Sequence, residues 1–264
     1  MGMDVNLKKL KKNAFRYSKV RGETASRIRI PGGVINAKSM AKIAEVAETY
    51  GNGTIFVTNR QGVELPGIKL EDMDAVNKAI QSIIDDSGVN QEERDKGYPA
   101  SGTRNVVACP GQRLCPFGCY DTTAFAQKMD KLIFPNNLHM KVAFTGCSND
   151  CAHVRLNDFG IIGQTEPQYD PDRCIGCEQC VKYCSRRSVG ALAVVNGKIV
   201  RDTNKCIGCG MCTVQCKFDA IHLFRLPDGD KYSNMIPAEQ KFVGIGKYMP
   251  SRVAGIIKKK IAGR

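Results

Sequence analysis

No stretch of this chain approaches the roughly 18 consecutive apolar residues that would cross a bilayer. The opening MGMDVNLKKLKKNAF carries basic residues with no hydrophobic stretch behind them, so neither a membrane span nor an export signal is expected, and a cytoplasmic protein is. Histidine is scarce, 3 in 264 residues, and none stands at zinc-ligand spacing from a cysteine. Aromatic residues make up only 7%, yet 42% hydrophobic and 25% charged residues exclude disorder, collagen and coiled coil and leave room for one large or two modest cores. Acidic residues are also in short supply. Thirty-nine Lys and Arg against 26 Asp and Glu give +13, which taken alone would point to nucleic acid or another anionic partner. The 13 cysteines offer a different explanation, since an odd count without an export signal argues against a disulfide framework and for metal ligation.

The first unit is assigned to residues 1–102. Lys8, Lys9, Lys11 and Lys12 read as a solvated helix face. RIRI, from Arg27, is a short strand ended by Pro31, Gly32 and Gly33; Met40, Ile43, Ala47 and Tyr50 then recur at helical spacing until Gly51 and Gly53. TIFVTNR follows as a strand, Pro66 and Gly67 as a turn, and Met73, Val76, Ile80 and Ile83 as a second amphipathic helix. This order predicts an α+β unit, closed by the polar stretch QEERDKGYPASG. Residues 103–166 begin a second unit, with a helix near 120–132 and a strand at HMKVAF. Residues 167–228 form an insert bracketed by Pro167 and the loop LPDGD, and 229–264 return to the second unit.

The insert contains a repeat. CIGCEQCVKYC from Cys174 recurs as CIGCGMCTVQC from Cys206, each with the C-x2-C-x2-C-x3-C spacing of bacterial ferredoxins, in which a tight loop aims several thiolates at one cubane. By the usual crossing pattern, Cys174, Cys177, Cys180 and Cys216 would hold one [4Fe-4S] cluster and Cys206, Cys209, Cys212 and Cys184 the other. Zinc fingers spread two ligand pairs over a longer span, which disfavours zinc. Ser185 and Lys217 stand where ferredoxins usually place proline after the fourth cysteine. Cys109 and Cys115, with Cys147 and Cys151, make a third, noncontiguous set of four.

CPGQRLC and GCSNDC, together with TNRQGVEL, TRNVVACPG, GCSNDCAHVRLNDFGIIG and the position of the insert, resemble the sirohaem-dependent sulfite and nitrite reductases over residues 25–250. The likeness is greatest to dissimilatory-type and anaerobic subunits carrying an inserted dicluster ferredoxin. The resemblance implies a ferredoxin-like half domain plus a sirohaem- and [4Fe-4S]-binding α/β domain, with sirohaem and three [4Fe-4S] clusters as cofactors. It makes Cys151 the thiolate shared between cubane and sirohaem iron. Arg60 and Arg104 match the family's arginines at the anion-binding face, and His139 and Lys141 stand where the family has two lysines, so only the second lysine is present. Strand alternation would put His139, Lys141 and Ala143 on one face and Met140, Val142 and Phe144 on the other. The plainer role for His139 is packing at a domain boundary; for His153, His222 and Cys119, packing or surface roles are expected.

The same resemblance implies six-electron reduction of sulfite to sulfide, with an electron-donor protein such as a ferredoxin or a reductase subunit. Nitrite or another small oxyanion is the alternative substrate, and an electron-transfer subunit without catalytic sirohaem the alternative of another class. Longer members contain two such halves and this chain one, so a homodimer or a heterodimer with a related chain is expected. Cubanes at about −2 each and an octacarboxylate sirohaem at about −8 would bring +13 to roughly −1, so no nucleic acid is needed to account for the charge.

Overall fold

The computed structural model describes residues 13–223, apart from 116 and 165. The Lys8–Lys12 run, the LPDGD loop and the 229–264 stretch therefore lie outside the described residues. Among the described residues no helix is long and apolar enough to cross a membrane.

The first unit is built on β1 (Phe15–Tyr17), β2 (Glu23–Ile28), α1 (Ala37–Tyr50), β3 (Phe56–Val57), β4 (Val63–Lys69), α2 (Met73–Ala79) and α3 (Gln81–Ser87). The strands form an antiparallel sheet in the order β1-β2-β4-β3. Alternation in β2 sends Thr24, Ser26 and Ile28 inward, as a half-buried strand requires. Asn36 caps α1 by accepting from the Ser39 amide at 2.7 Å, and Gly51 ends it. Ile43, Val46 and Ala47 of α1 then pack on Leu65 and Ile68 of β4 and on Val76, Ile80 and Ile83.

Several local expectations need correction. Pro66 and Gly67 do not turn the chain; they lie inside β4. There the register with β2 shifts between Thr24 and Ser26, and Gly67 takes φ +81°, so the pair forms a β-bulge at the one place where a proline without an N–H is tolerated. TIFVTNR is a strand only at Phe56 and Val57. The second helix breaks at Ile80, and the strand in RIRI starts earlier, at Glu23. QEERDKGYPASG is more than a polar closure, because Tyr98 is buried, its hydroxyl accepts from the Arg29 amide at 2.6 Å, and its carbonyl accepts from Ala14.

The second unit is a parallel sheet of β5 (Val107–Ala108), β6 (Val142–Thr145) and β7 (Phe159–Ile162), in that order, with α4 (Thr122–Ile133) against one face. HMKVAF is thus extended from Val142 onward only. Ala126, Met129 and Ile133 of α4 meet Met140, Val142, Phe144 and Phe159, and the Phe144 ring makes edge contacts with Phe125 and Phe159. The units are fastened where Gly32, at φ +73°, lies against α4. A Cβ there would stand 3.0 Å from the Thr123 carbonyl oxygen.

The insert comprises β8 (Pro167–Tyr169), α5 (Gln179–Arg187), β9 (Leu192–Val195), β10 (Lys198–Arg201), α6 (Met211–Gln215) and β11 (Ile221–Leu223). β8 pairs with β11, and β9 with β10 through Asn196 and Gly197, both at positive φ as a tight hairpin turn requires. Its apolar core is small: Cys180, Leu192, Ile199 and Ile221. The observed mixture of helices and strands is α+β.

Candidate functional site

Within the insert the structure gathers the cysteines of the repeat around two hollows. Cys174, Cys177, Cys180 and Cys216 line the first, and Cys184, Cys206, Cys209 and Cys212 the second. Each copy therefore lends its fourth cysteine, carried on α5 or just after α6, to the hollow of the other. Gly176 and Gly208, at φ +72° and +62°, allow the CIGC turns. The fourth cysteine of each copy accepts a backbone amide: Ala191 N to Cys184 Sγ at 3.3 Å, and Ala220 N to Cys216 Sγ at 3.1 Å.

The chemistry of this donor set fits a cationic cluster. Burial and neighbouring thiols push Cys212 up to about 12 and move Cys180 in the same direction, so protons are held until a metal displaces them. Among the described residues no three His, Cys, Asp or Glu side chains converge tightly enough to hold one metal ion. Thiols spread around the rim of a hollow suit a polynuclear cluster, in which each binds its own iron, better than a tetrahedral zinc.

The third set lies at the C-terminal ends of the parallel strands. Cys109 follows β5, and Cys147 and Cys151 follow β6 in a loop stabilised by Asp150, whose carboxylate accepts from the Val154 amide at 2.7 Å. Cys109 Sγ accepts from the Gly146 amide at 3.1 Å. Cys147 is buried beside Cys115, Cys151 and Cys109; burial raises its pKa, the Asn149 amide opposes this, and those thiols raise it further. Cys151 is exposed. The loops that carry these cysteines also present Leu114 and Leu156, each more than three-quarters exposed, so a flat apolar group would find a surface here. His153 is exposed at φ +49° and joins no cysteine set, and His222 stands in β11 opposite Gln168.

The candidate cations collect at the opposite ends of the same strands. Arg104 precedes β5, and His139 and Lys141 precede β6, both exposed and alternating with buried Met140 and Val142. Arg104 Nη2 lies 2.6 Å from His139 Nε2. A guanidinium only donates, so Nε2 is the acceptor in this contact. His139 is exposed in this contact. Arg60 turns inward: its Nη groups donate to Asn157 Oδ1, to the Asn105 carbonyl at 2.8 Å and to the Val142 carbonyl at 2.7 Å, while its Nε is buried without a hydrogen-bond partner among the described residues. Burial, and then the Arg29 charge, lower its pKa to about 10. The four residues of β6 alone span about 13 Å, so the cations and the third cysteine set do not share one end of this sheet.

Residues 18–83 match the nitrite/sulfite reductase ferredoxin-like half domain, 100–208 the nitrite and sulphite reductase 4Fe-4S domain, and 199–222 a 4Fe-4S binding domain. The chain belongs to the nitrite and sulfite reductase family. A subunit of the anaerobic sulfite reductase of Salmonella typhimurium is 43% identical over 208 residues, 76% of this chain and 62% of that one. A sulfite reductase of Methanocaldococcus jannaschii is 30% identical over 60% of this chain and 24% of its own length. Chloroplastic ferredoxin–nitrite reductase of Zea mays is 29% identical over 52% of this chain and 23% of its own. The chain thus spans less than two-thirds of these relatives. The crystal structure of dissimilatory sulfite reductase I shares the fold at a TM-score of 0.57 and 18% identity, covering 76% of this chain and 52% of that one.

In this member of the nitrite and sulfite reductase family, residue-by-residue reading missed the packing around the third cysteine set. Gly111, Gly118, Gly146 and Gly163 let three segments cross: a Cβ on Gly118 would lie 2.3 Å from the Gln112 amide, and one on Gly163 would lie 2.2 Å from the Gly146 carbonyl oxygen. Gln61 braces Ala108, beside Cys109, by donating to its carbonyl and accepting from its amide. Cys119 is buried against the same site; burial first, then Cys147, Cys115 and Cys109, push it up to about 12. The glycines recur within the cysteine motifs themselves, which is the signal that could have flagged them.

Proposed function

We propose that this chain carries three [4Fe-4S] clusters and a sirohaem and reduces sulfite to sulfide as one half of a two-chain reductase. The observation that carries this reading is the set Cys109, Cys115, Cys147 and Cys151 gathered at the C-terminal ends of a parallel sheet, in a chain 43% identical to a subunit of anaerobic sulfite reductase. The proposed division is 1–102, 103–166, 167–228 and 229–264. When bound, sirohaem supplies an open iron position for the sulfur lone pair and a route for electrons from the clusters. Cys151, the exposed member of its set, would be the thiolate shared with that iron.

The oxyanion is the task of the cations. Lys141 presents an exposed ammonium, and Arg104 a guanidinium oriented by His139, so sulfite oxygens would meet charge already in place. Arg60 acts from behind by tying the Arg60–Gln61 loop to Asn105, Val142 and Asn157. Because these cations and the third cysteine set occupy opposite ends of the strands, we assign each anion pocket to the cations of one chain and the thiolates of a second, either another copy or a related chain. An electron-donor protein would feed the insert.

The test is anaerobic turnover with a reduced dye, sulfite and nitrite in parallel. Sulfite-dependent dye oxidation with sulfide release, exceeding the nitrite rate, supports the proposal. Dye oxidation by nitrite alone would reverse the substrate assignment, and no turnover with either anion in a sirohaem-loaded sample would remove the enzymatic reading.

A further inference from the structure

The internal repeat lets the two hollows of the insert be compared position by position. Five residues before the first cysteine stand Tyr169 in one copy and Arg201 in the other, and each side chain hydrogen-bonds that cysteine, Tyr169 to Cys174 and Arg201 to Cys206. Four residues after it stand Glu178 and Gly210, both left-handed at φ +57° and +69°. Glycine adopts this backbone freely, whereas glutamate is disfavoured there, so a carboxylate is kept at a position that local conformation would give to glycine. Glu178, itself exposed, is the one charged residue lining the first hollow, and Arg201 the one lining the second, among the described residues. Arg201 is also paired with Glu166 at 2.9 Å, but Glu166 is 80% exposed and Arg201 only 23%, so water screens the carboxylate more than the guanidinium.

A cubane that takes up an electron gains one negative charge. A nearby cation stabilises the reduced form, and a nearby anion the oxidised form. The backbone donors lean slightly the other way: the first hollow has Ala220 on Cys216 and the Val181 and Cys180 amides on Cys180, the second Ala191 on Cys184 and the Cys212 amide on its own sulfur. The second hollow has a further contact, Ser188 Oγ at 3.7 Å from Cys209 Sγ. Charge and side-chain donors therefore tip in the same direction.

We infer that the two clusters of the insert sit at different reduction potentials, the one on Cys184, Cys206, Cys209 and Cys212 being the higher because Arg201 lines it while Glu178 lines the other. The inference rests on the proposed cluster occupancy. The step it describes is a one-electron exchange: the cluster on Cys174, Cys177, Cys180 and Cys216 is oxidised, its neighbour is reduced, and no proton or further reactant is needed. The first hollow is then the entry side of the relay and the second the side on which an electron rests.

The experiment is a redox titration of the anaerobically reconstituted full chain, followed by electron paramagnetic resonance. Wild type should show two separate waves from the insert, with the third cluster as an internal reference. Arg201→Gln should lower the upper wave alone, by about 59 mV if the ratio of reduced to oxidised cluster falls tenfold at fixed potential. Arg201→Lys, which keeps the charge, should restore most of it. Glu178→Gly should raise the lower wave alone, and because it relieves a disfavoured backbone its folding is secure. Insert clusters that titrate together, unmoved by Arg201→Gln and Glu178→Gly, would overturn the inference and leave occupancy standing. A reconstituted chain without insert cubane signals would overturn both.

Discussion

At the scale of single residues, the arrangement depends on a few side chains that fasten one segment to another. Arg29 is the clearest. Its guanidinium pairs with Asp130 of α4, donates to the Thr103 and Arg104 carbonyls at 2.8 Å each, and lies 3.9 Å from the Phe134 ring centre. Both charges are buried, 6% and 1% exposed. Arg29→Met should therefore cost about 3–5 kcal/mol, because Asp130 is left as an uncompensated buried charge, whereas Arg29→Met with Asp130→Leu should recover most of the loss in a thermal melt. A double variant no more stable than the single one would contradict this. Gly163→Ala would drive a Cβ to 2.2 Å from the Gly146 carbonyl oxygen, so it should displace the Cys147 loop and lose the third cluster while both insert clusters persist in the resonance spectrum. Cys119→Ala should leave the iron content unchanged, since that thiol packs beside the third set and the set already numbers four. His139→Met removes the acceptor that orients Arg104. At matched sirohaem occupancy it should raise KM for sulfite about tenfold, the equivalent of a lost hydrogen bond from a charged donor; an unchanged KM would place His139 outside the anion pocket.

At the scale of elements, the insert and the body of the chain are stabilised differently. The first unit buries a full sheet-on-helix core, each large aliphatic side chain contributing about 1.5–3 kcal/mol. The core cluster of the insert has four buried residues, one of them Cys180, and most of the side chains packed against it are partly buried cysteines. Clusters rather than apolar area must then hold α5, α6 and their sheets together. Chelation of iron should open residues 167–223 to proteolysis while the fragment containing β1 to β7 stays resistant, and a protected insert in the iron-free chain would contradict this. The same contrast explains what was legible in the sequence. The helix with Ile43 and Ala47, and the α4 pattern, follow from local periodicity, and the cysteine spacing told which thiols share a hollow. Pro66 and Gly67 misled because a bulge and a turn use the same residues, and only the strand paired alongside distinguishes them. Nothing local could show that Tyr98 closes the first core, that Arg60 faces inward, or that Gly163 meets Gly146, because each depends on a partner distant in sequence.

At the scale of the whole molecule, cations gather at one end of the parallel sheet and the third cysteine set at the other, and the proposed pocket therefore draws on two halves. This is consistent with a chain that spans 62% of one relative and about a quarter of two others. It also fits the net charge of +13, which three cubanes and a polycarboxylate tetrapyrrole would largely neutralise. Such a protein should be less soluble, or bind polyanions nonspecifically, until it is loaded; retention on an anionic resin that falls as cofactors are restored would show this. The central claim, that Cys151 joins a cubane to sirohaem, is tested most directly by iron and tetrapyrrole analysis with visible spectra of wild type and Cys151→Ser, both purified anaerobically. The account predicts about twelve cubane irons and one extractable sirohaem per wild-type chain, and a variant whose sirohaem bands are lost or shifted while the two insert clusters remain. Sirohaem bands identical in the two proteins, or a wild-type chain with eight irons and no tetrapyrrole, would contradict it.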